Sequence, residues 1–133
     1  MVAYGFYGES NSGKTTTIER ILEVLSSKYE IIVIKHTHLN VKLDDNGDTK
    51  RFRNSGAYMS CLSAREQTHI LADKGLSVET LLSALEPLCD MVLVEGFRDA
   101  KIPKFAFGET EITEGTIMRC DENSFDEIMR IID

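Results

Sequence analysis

Eight residues near the start of the chain, Gly8-Glu9-Ser10-Asn11-Ser12-Gly13-Lys14-Thr15, match G-x-x-x-x-G-K-[ST] at every fixed position. The spacing has a chemical reason. A loop that wraps phosphate with backbone N–H groups needs glycine where the chain passes close, and Gly8 and Gly13 supply it. The helix that follows points unsatisfied N–H groups and a positive dipole end at the anion. Lys14 is then placed to reach the β- and γ-phosphates, and the Thr15 hydroxyl to meet Mg²⁺. The bare pattern also occurs by chance in Gly/Ser turns, so its context decides.

That context is a strand before and a helix after. Val2–Tyr7 is rich in Val, Tyr and Phe, while Ile18, Ile21, Leu22 and Leu25 recur at helical spacing from Lys14 to about Lys28. Further strands are expected at Glu30–Lys35, read as buried on both faces, at Ala57–Ser63 paired with Gln67–Leu71, and at Met91–Val94. An edge strand is expected at Lys104–Phe107 and a last strand at Thr116–Arg119. Helices are expected over Asp48–Ser55, from an N-cap at Ser77 through Leu88, and at the end of the sequence around Phe125, Ile128, Met129 and Ile132. An Asp-Asp-Asn-Gly turn is expected at 44–47. Alternating strands and helices give an α/β class, a three-layer P-loop NTPase fold with a mainly parallel sheet. The length of 133 residues suggests one nucleotide-binding domain, 1–133.

A formal net charge of -7 without a long basic run argues against sequence-independent nucleic-acid binding. Cys61, Cys89 and Cys120 are odd in number and widely spaced, which suggests buried free thiols in a reducing compartment. The sequence opens into a strand pattern without a signal-peptide n-region, and no apolar run reaches the ~18 residues of a membrane span. The expectation is a soluble, cytoplasmic protein with no membrane partner.

Three further groups carry candidate chemistry. Glu95 closes the apolar run Met91–Val94 and sits where a parallel sheet presents its ligand edge, so it is the candidate Mg²⁺ carboxylate beside Thr15. His36 and His38 end the strand begun at Ile31 and would face one side. A metal site, a nucleotide contact and a purely structural role all fit them; Asp44, Asp45 and Asp48 lie nearby in sequence. Lys50, Arg51 and Arg53 form a cationic stretch that suits either a phosphorylated second substrate or a solvated helix face. Arg98, Lys101 and Lys104 follow Glu95 on what reads as a loop at the same edge, as candidate ligand or partner contacts.

Taken in order, these pieces resemble the molybdopterin-guanine dinucleotide biosynthesis protein B family. The carriers are Gly8–Thr15, Ile-Lys-His-Thr-His at 34–38, Gly47-Asp48-Thr49 with Arg51, Arg53 and Ser55-Gly56-Ala57, Leu93-Val94-Glu95-Gly96-Phe97, and Pro103-Lys104. The typical Gly-Lys-Asp-Ser of the family is one residue shorter here, at Gly47-Asp48-Thr49. Glu9 stands where some dimeric P-loop ATPases carry a signature lysine, which sets the chain apart from those.

The resemblance implies GTP with Mg²⁺, weak GTPase activity, a homodimer, and a helper role beside the guanylyltransferase that attaches GMP to molybdopterin. By that match Asp48 stands near the nucleotide or Mg²⁺ and Arg53 near an anionic ligand. The expected nucleotide-binding set is Gly8 through Thr16, with His36, His38, Arg53 and Arg98. Lys14, Asp48 and Glu95 are the expected catalytic groups, and Thr15 and Glu95 the metal ligands. Asp48 and His38 are the candidates to position an attacking water. GTP over ATP follows from the resemblance alone, because the Asn-Lys-x-Asp guanine reader is absent. Two other readings remain open: a small-molecule kinase, though a lid is hard to find in 98–115, and a metal-handling GTPase using His36 and His38.

Overall fold

The phosphate-loop pattern does lie between a strand and a helix. In the computed structural model, which describes residues 1–41 and 47–133, β1 (Val2–Gly8) runs into the loop and α1 (Lys14–Leu25) leaves it. The helix stops three residues short of Lys28. Its chain instead folds into a turn in which Lys28 and Tyr29 both donate to the Leu25 carbonyl, at 3.0 and 2.9 Å. The expected turn at 44–47 and the carboxylates Asp44 and Asp45 lie outside the described residues.

The described residues gather into two compact units, Met1–His38 with Val78–Asp133, and Leu39–Ser77. The larger holds β1, α1, β2 (Ile31–Lys35), α3 (Val78–Leu85), β5 (Met91–Glu95), β6 (Lys104–Phe107), β7 (Thr116–Cys120) and α4 (Phe125–Ile132). The smaller holds α2 (Asp48–Asn54) and the antiparallel pair β3 (Met59–Ser63) and β4 (Thr68–Ala72).

The five strands of the larger unit form one sheet in the order β2-β5-β1-β6-β7, and every pairing is parallel. Side chains alternate across it. Phe6, Met91, Leu93, Phe105 and Phe107 face α1 and α4, joining Ile18, Ile21, Leu25, Ile128 and Ile132 in one core. Val92 and Val94, with Ile34, face the other way and meet Val78, Ala100 and the leucines of α3. Helices thus cover both faces of a parallel sheet, the α/β arrangement expected.

Two strand placements differ from expectation. The apolar run of β2 is an edge strand, in which Ile34 is buried while Val33 is 41% exposed. Residues Lys104–Phe107 are the reverse: β6 lies between β1 and β7 and all four of its residues are buried. Helix α3 ends at Leu85, since Pro87 has no N–H to continue it. A short 3-10 turn follows, and Leu88 is left exposed. Cys120 is buried, but Cys61, expected inside, is exposed.

In the smaller unit the cationic stretch is not a uniform solvated face. Asp48 opens α2, exposed, with Arg51 3.8 Å away. Arg53 is buried; its guanidinium donates to Ser60 Oγ and stands 3.2 Å from Asp73 Oδ2.

Candidate functional site

Register brings the candidate residues of the larger unit to one edge. Lys35 pairs with Glu95, Phe6 pairs with Glu95, and Gly8 pairs with Phe107, so β2, β5, β1 and β6 all end at the same level. Their carboxyl ends open onto a cavity of about 900 Å³. This is where open α/β sheets hold ligands.

The loop after β1 has the shape its glycines permit. Gly8 has φ 134° and lies so close to β6 that an added Cβ would stand 1.9 Å from the Phe107 carbonyl oxygen. Gly13, just before α1, has φ 97°, and Asn11 takes the left-handed conformation at φ 60°. Lys14 folds back over the loop, its Nζ 3.1 Å from the Gly8 carbonyl and also donating to the Glu9 carbonyl. Ser12 Oγ donates to the same Glu9 carbonyl at 2.6 Å. Burial, and then the charge of Lys35, hold Lys14 below the ordinary lysine pKa against the opposing pull of Glu95 and Glu9.

Thr15, in the first turn of α1, donates from Oγ1 to Glu95 Oε1 at 3.0 Å. Lys35 Nζ stands 3.6 Å from the same carboxylate oxygen. A hydroxyl and a carboxylate side by side are hard oxygen donors of the kind Mg²⁺ takes, with water completing its shell. Thr15 and Glu95 therefore fit the metal expected of them.

Beyond Glu95 the backbone is drawn tight. His36 N donates to the Glu95 carbonyl and Gly96 N to the Phe6 carbonyl, both at 2.9 Å, so the ladders run one residue past the strands. A Cβ on Gly96 would sit 3.1 Å from His36 Cβ. Phe97 is held at φ 50°, a conformation that costs a non-glycine residue of order 1–3 kcal/mol. Its ring stacks on His36 with centroids 4.0 Å apart, and His38 meets His36 edge-on at 4.9 Å. Strand β2 ends at Lys35, so both histidines lie past it rather than within it as the strand reading expected, yet their rings meet. Among the described residues no group of three or more His, Cys, Asp or Glu side chains is arranged to hold a metal ion.

Of the expected nucleotide-binding set, Gly8, Ser10, Asn11, Gly13, Lys14, Thr15, Thr16, His36, His38 and Arg98 line the cavity, as does Glu95. Glu9 turns away and accepts from Glu109 N at 2.6 Å, and Ser12 is engaged within the loop. Asp48 and Arg53 belong to the smaller unit. Lys101 is exposed, and Lys104 is not a loop contact at all but a core residue, 1% exposed. Sequence reasoning missed Tyr7, Lys35 and Phe97 among the lining residues. The available signal was position, since each flanks the end of a parallel strand.

The cavity gathers Lys14, Lys35 and Arg98 around a helix N-terminus, facing a hydroxyl–carboxylate pair, which suits a polyphosphate with a divalent cation.

Known proteins resemble the chain over most of its length. A Haemophilus influenzae molybdopterin-guanine dinucleotide biosynthesis adapter protein is 35% identical over 83% of this chain and 65% of its own length. A Methanocaldococcus jannaschii protein, provisionally described in the same words, is 34% identical over 99% of this chain and 61% of its own. The chain thus spans about three fifths of the length of these relatives. The crystal structure of Bacillus subtilis MobB superposes with a TM-score of 0.75 at 20% identity, covering 100% of this chain and 99% of that one, and so supports the fold. The sequence profile of the molybdopterin guanine dinucleotide synthesis protein B family matches residues 3–132, and the chain belongs to that family.

Proposed function

We propose that this protein binds GTP with Mg²⁺ at the Gly8–Thr15 loop and acts as an adapter in molybdopterin guanine dinucleotide synthesis. In that role it assists the guanylyltransferase that joins GMP to molybdopterin. The observation that carries the site is the pairing of Thr15 Oγ1 with Glu95 Oε1 at 3.0 Å beside Lys14, in a chain of this family. Lys14 would leave the Gly8 and Glu9 carbonyls to meet the β- and γ-phosphates. Thr15 and Glu95 would hold Mg²⁺, which neutralises phosphate charge when bound. Hydrolysis would be slow: among the described residues Glu95 is the only carboxylate lining the cavity, and it would be engaged with Mg²⁺ rather than with a water. The proposal includes a homodimer working in the cytoplasm. Among the described residues no helix is long and apolar enough to cross a membrane.

Membership of the family disfavours the kinase and metal-handling readings. The test of the adapter role is co-purification of this protein with its guanylyltransferase, with and without GTP·Mg²⁺. Recovery of the enzyme that strengthens with GTP is the expected result. No recovery in either condition would refute the role.

A further inference from the structure

Lys104 is the most deeply buried charged side chain among the described residues, at 1% exposure. Burying a lysine in a sheet interior is costly unless its donors are satisfied, so its presence there requires an explanation. Its neighbours supply one. Nζ donates to the carbonyls of Arg98 and Ala100, both at 2.8 Å, and lies 5.8 Å from the centroid of the Tyr7 ring. The stem reaches them because residue 5, its register partner on β1, is glycine: a Cβ there would stand 2.7 Å from Lys104 Cγ.

The two carbonyls belong to the turn that leaves Glu95. Ala100 N closes that turn on the Phe97 carbonyl at 2.8 Å. The Arg98 carbonyl takes a second bond, from Thr113 Oγ1 at 2.8 Å. With its backbone held from two sides, Arg98 sets its guanidinium 5.7 Å from the Tyr7 ring centroid and donates to Thr110 Oγ1, at the cavity wall. We infer that Lys104 is a positioning residue: from inside the core it fixes the 97–100 backbone and thereby sets where Arg98 meets an anionic ligand.

An apolar residue of similar volume would serve β6 equally well as packing, so the inference separates cleanly from a purely structural role. Its affinity arm rests on the reading of the cavity as a GTP site; its backbone arm does not. The experiment records amide NMR spectra of ligand-free wild type, Lys104→Met and Lys104→Arg. It then titrates GTP·Mg²⁺ into these proteins, into Arg98→Ala and into the double variant Arg98→Ala with Lys104→Met. Lys104→Met should move the Phe97–Lys101 amide signals beyond those of α1 and α4. It should weaken GTP by about tenfold, a loss in the range of one charge-assisted hydrogen bond. Arg98→Ala should lose a similar amount, and the double variant no more than either. Lys104→Arg, which keeps donors, should recover part of both effects. If Lys104→Met fails to fold, the Lys104→Arg spectrum and titration carry the same readouts in reduced size. Unmoved 97–101 amides, or losses that multiply in the double variant, would overturn the inference. Moved amides in a protein that binds no GTP would sustain the positioning role and overturn the nucleotide reading.

Discussion

Gly8→Ala tests the placement of the phosphate loop against the sheet. The new methyl carbon would meet the Phe107 carbonyl oxygen at 1.9 Å, with Phe107 C and N at 2.8 and 2.9 Å, inside the 3.0 Å that real Cβ contacts respect. Phe107 is fully buried and cannot yield, so the ends of β1 and β6 must part by about an ångström. That breaks the 3.1 Å bond from Glu9 N to the Phe107 carbonyl, worth about 1 kcal/mol, and adds roughly 1–3 kcal/mol for an L-residue at φ 134°. The expected loss is about 3 kcal/mol, a large share of the ~5–15 kcal/mol that holds a domain together. Gly13→Ala is the control. Its φ of 97° brings comparable backbone strain, but nothing lies within 4 Å of the added carbon, so it should lose only about 1–2 kcal/mol. Urea unfolding followed by circular dichroism suits both, because the chain has no tryptophan. A Gly8→Ala protein no less stable than Gly13→Ala would show that the loop is not packed on β6 as described.

The other predictions concern charge. Glu95→Gln should remove the Mg²⁺-dependent part of GTP affinity, about tenfold, while leaving metal-free binding intact; calorimetry with and without Mg²⁺ decides it. Lys14 sits below its ordinary pKa because of burial, with Lys35 adding, so at alkaline pH below the ordinary lysine value a bound triphosphate should favour its protonated form and draw in protons. Titration in two buffers of different ionisation enthalpy should reveal that uptake, and Lys14→Ala should abolish it. Burial pushes Cys120 up to about 11, so at about pH 8 a thiol reagent should label exposed Cys61 and spare Cys120 in the native protein. A thiol whose folded pKa is raised loses its stabilising contribution as pH climbs, so Cys120→Ala should flatten the fall in stability between about pH 9 and 11.

The elements that carry the site were legible because their signals are local. Gly8–Thr15 is a contiguous motif with a strand before it and a 3.6-residue period after it, and Met91–Glu95 is an apolar run with one carboxylate at its end. Where sequence reasoning failed, the deciding partner was distant. An edge strand in a sheet covered on both faces has the same apolar composition as a central one, so nothing in Ile31–Lys35 marks β2 as an edge. In Lys104–Phe107 the leading lysine reads as surface. Its burial depends on carbonyls of Arg98 and Ala100 and on the missing side chain of Gly5, none of them visible in a local window. The burial of Arg53 went unseen in the same way, since Ser60 and Asp73 reach it from the hairpin and the residue just after it. The positive φ of Phe97 had no sequence signal either, because glycine and asparagine are the residues that ordinarily announce one.

The central claim is that the Gly8–Thr15 loop holds the phosphates of GTP. Calorimetric titration of wild type and Lys14→Ala with GTP·Mg²⁺ and, separately, ATP·Mg²⁺ tests it most directly. The account predicts saturable binding that favours GTP and a loss of at least ~2 kcal/mol in Lys14→Ala, as expected when a phosphate loses its charged partner. A folded Lys14→Ala protein that binds GTP as tightly as wild type would contradict it.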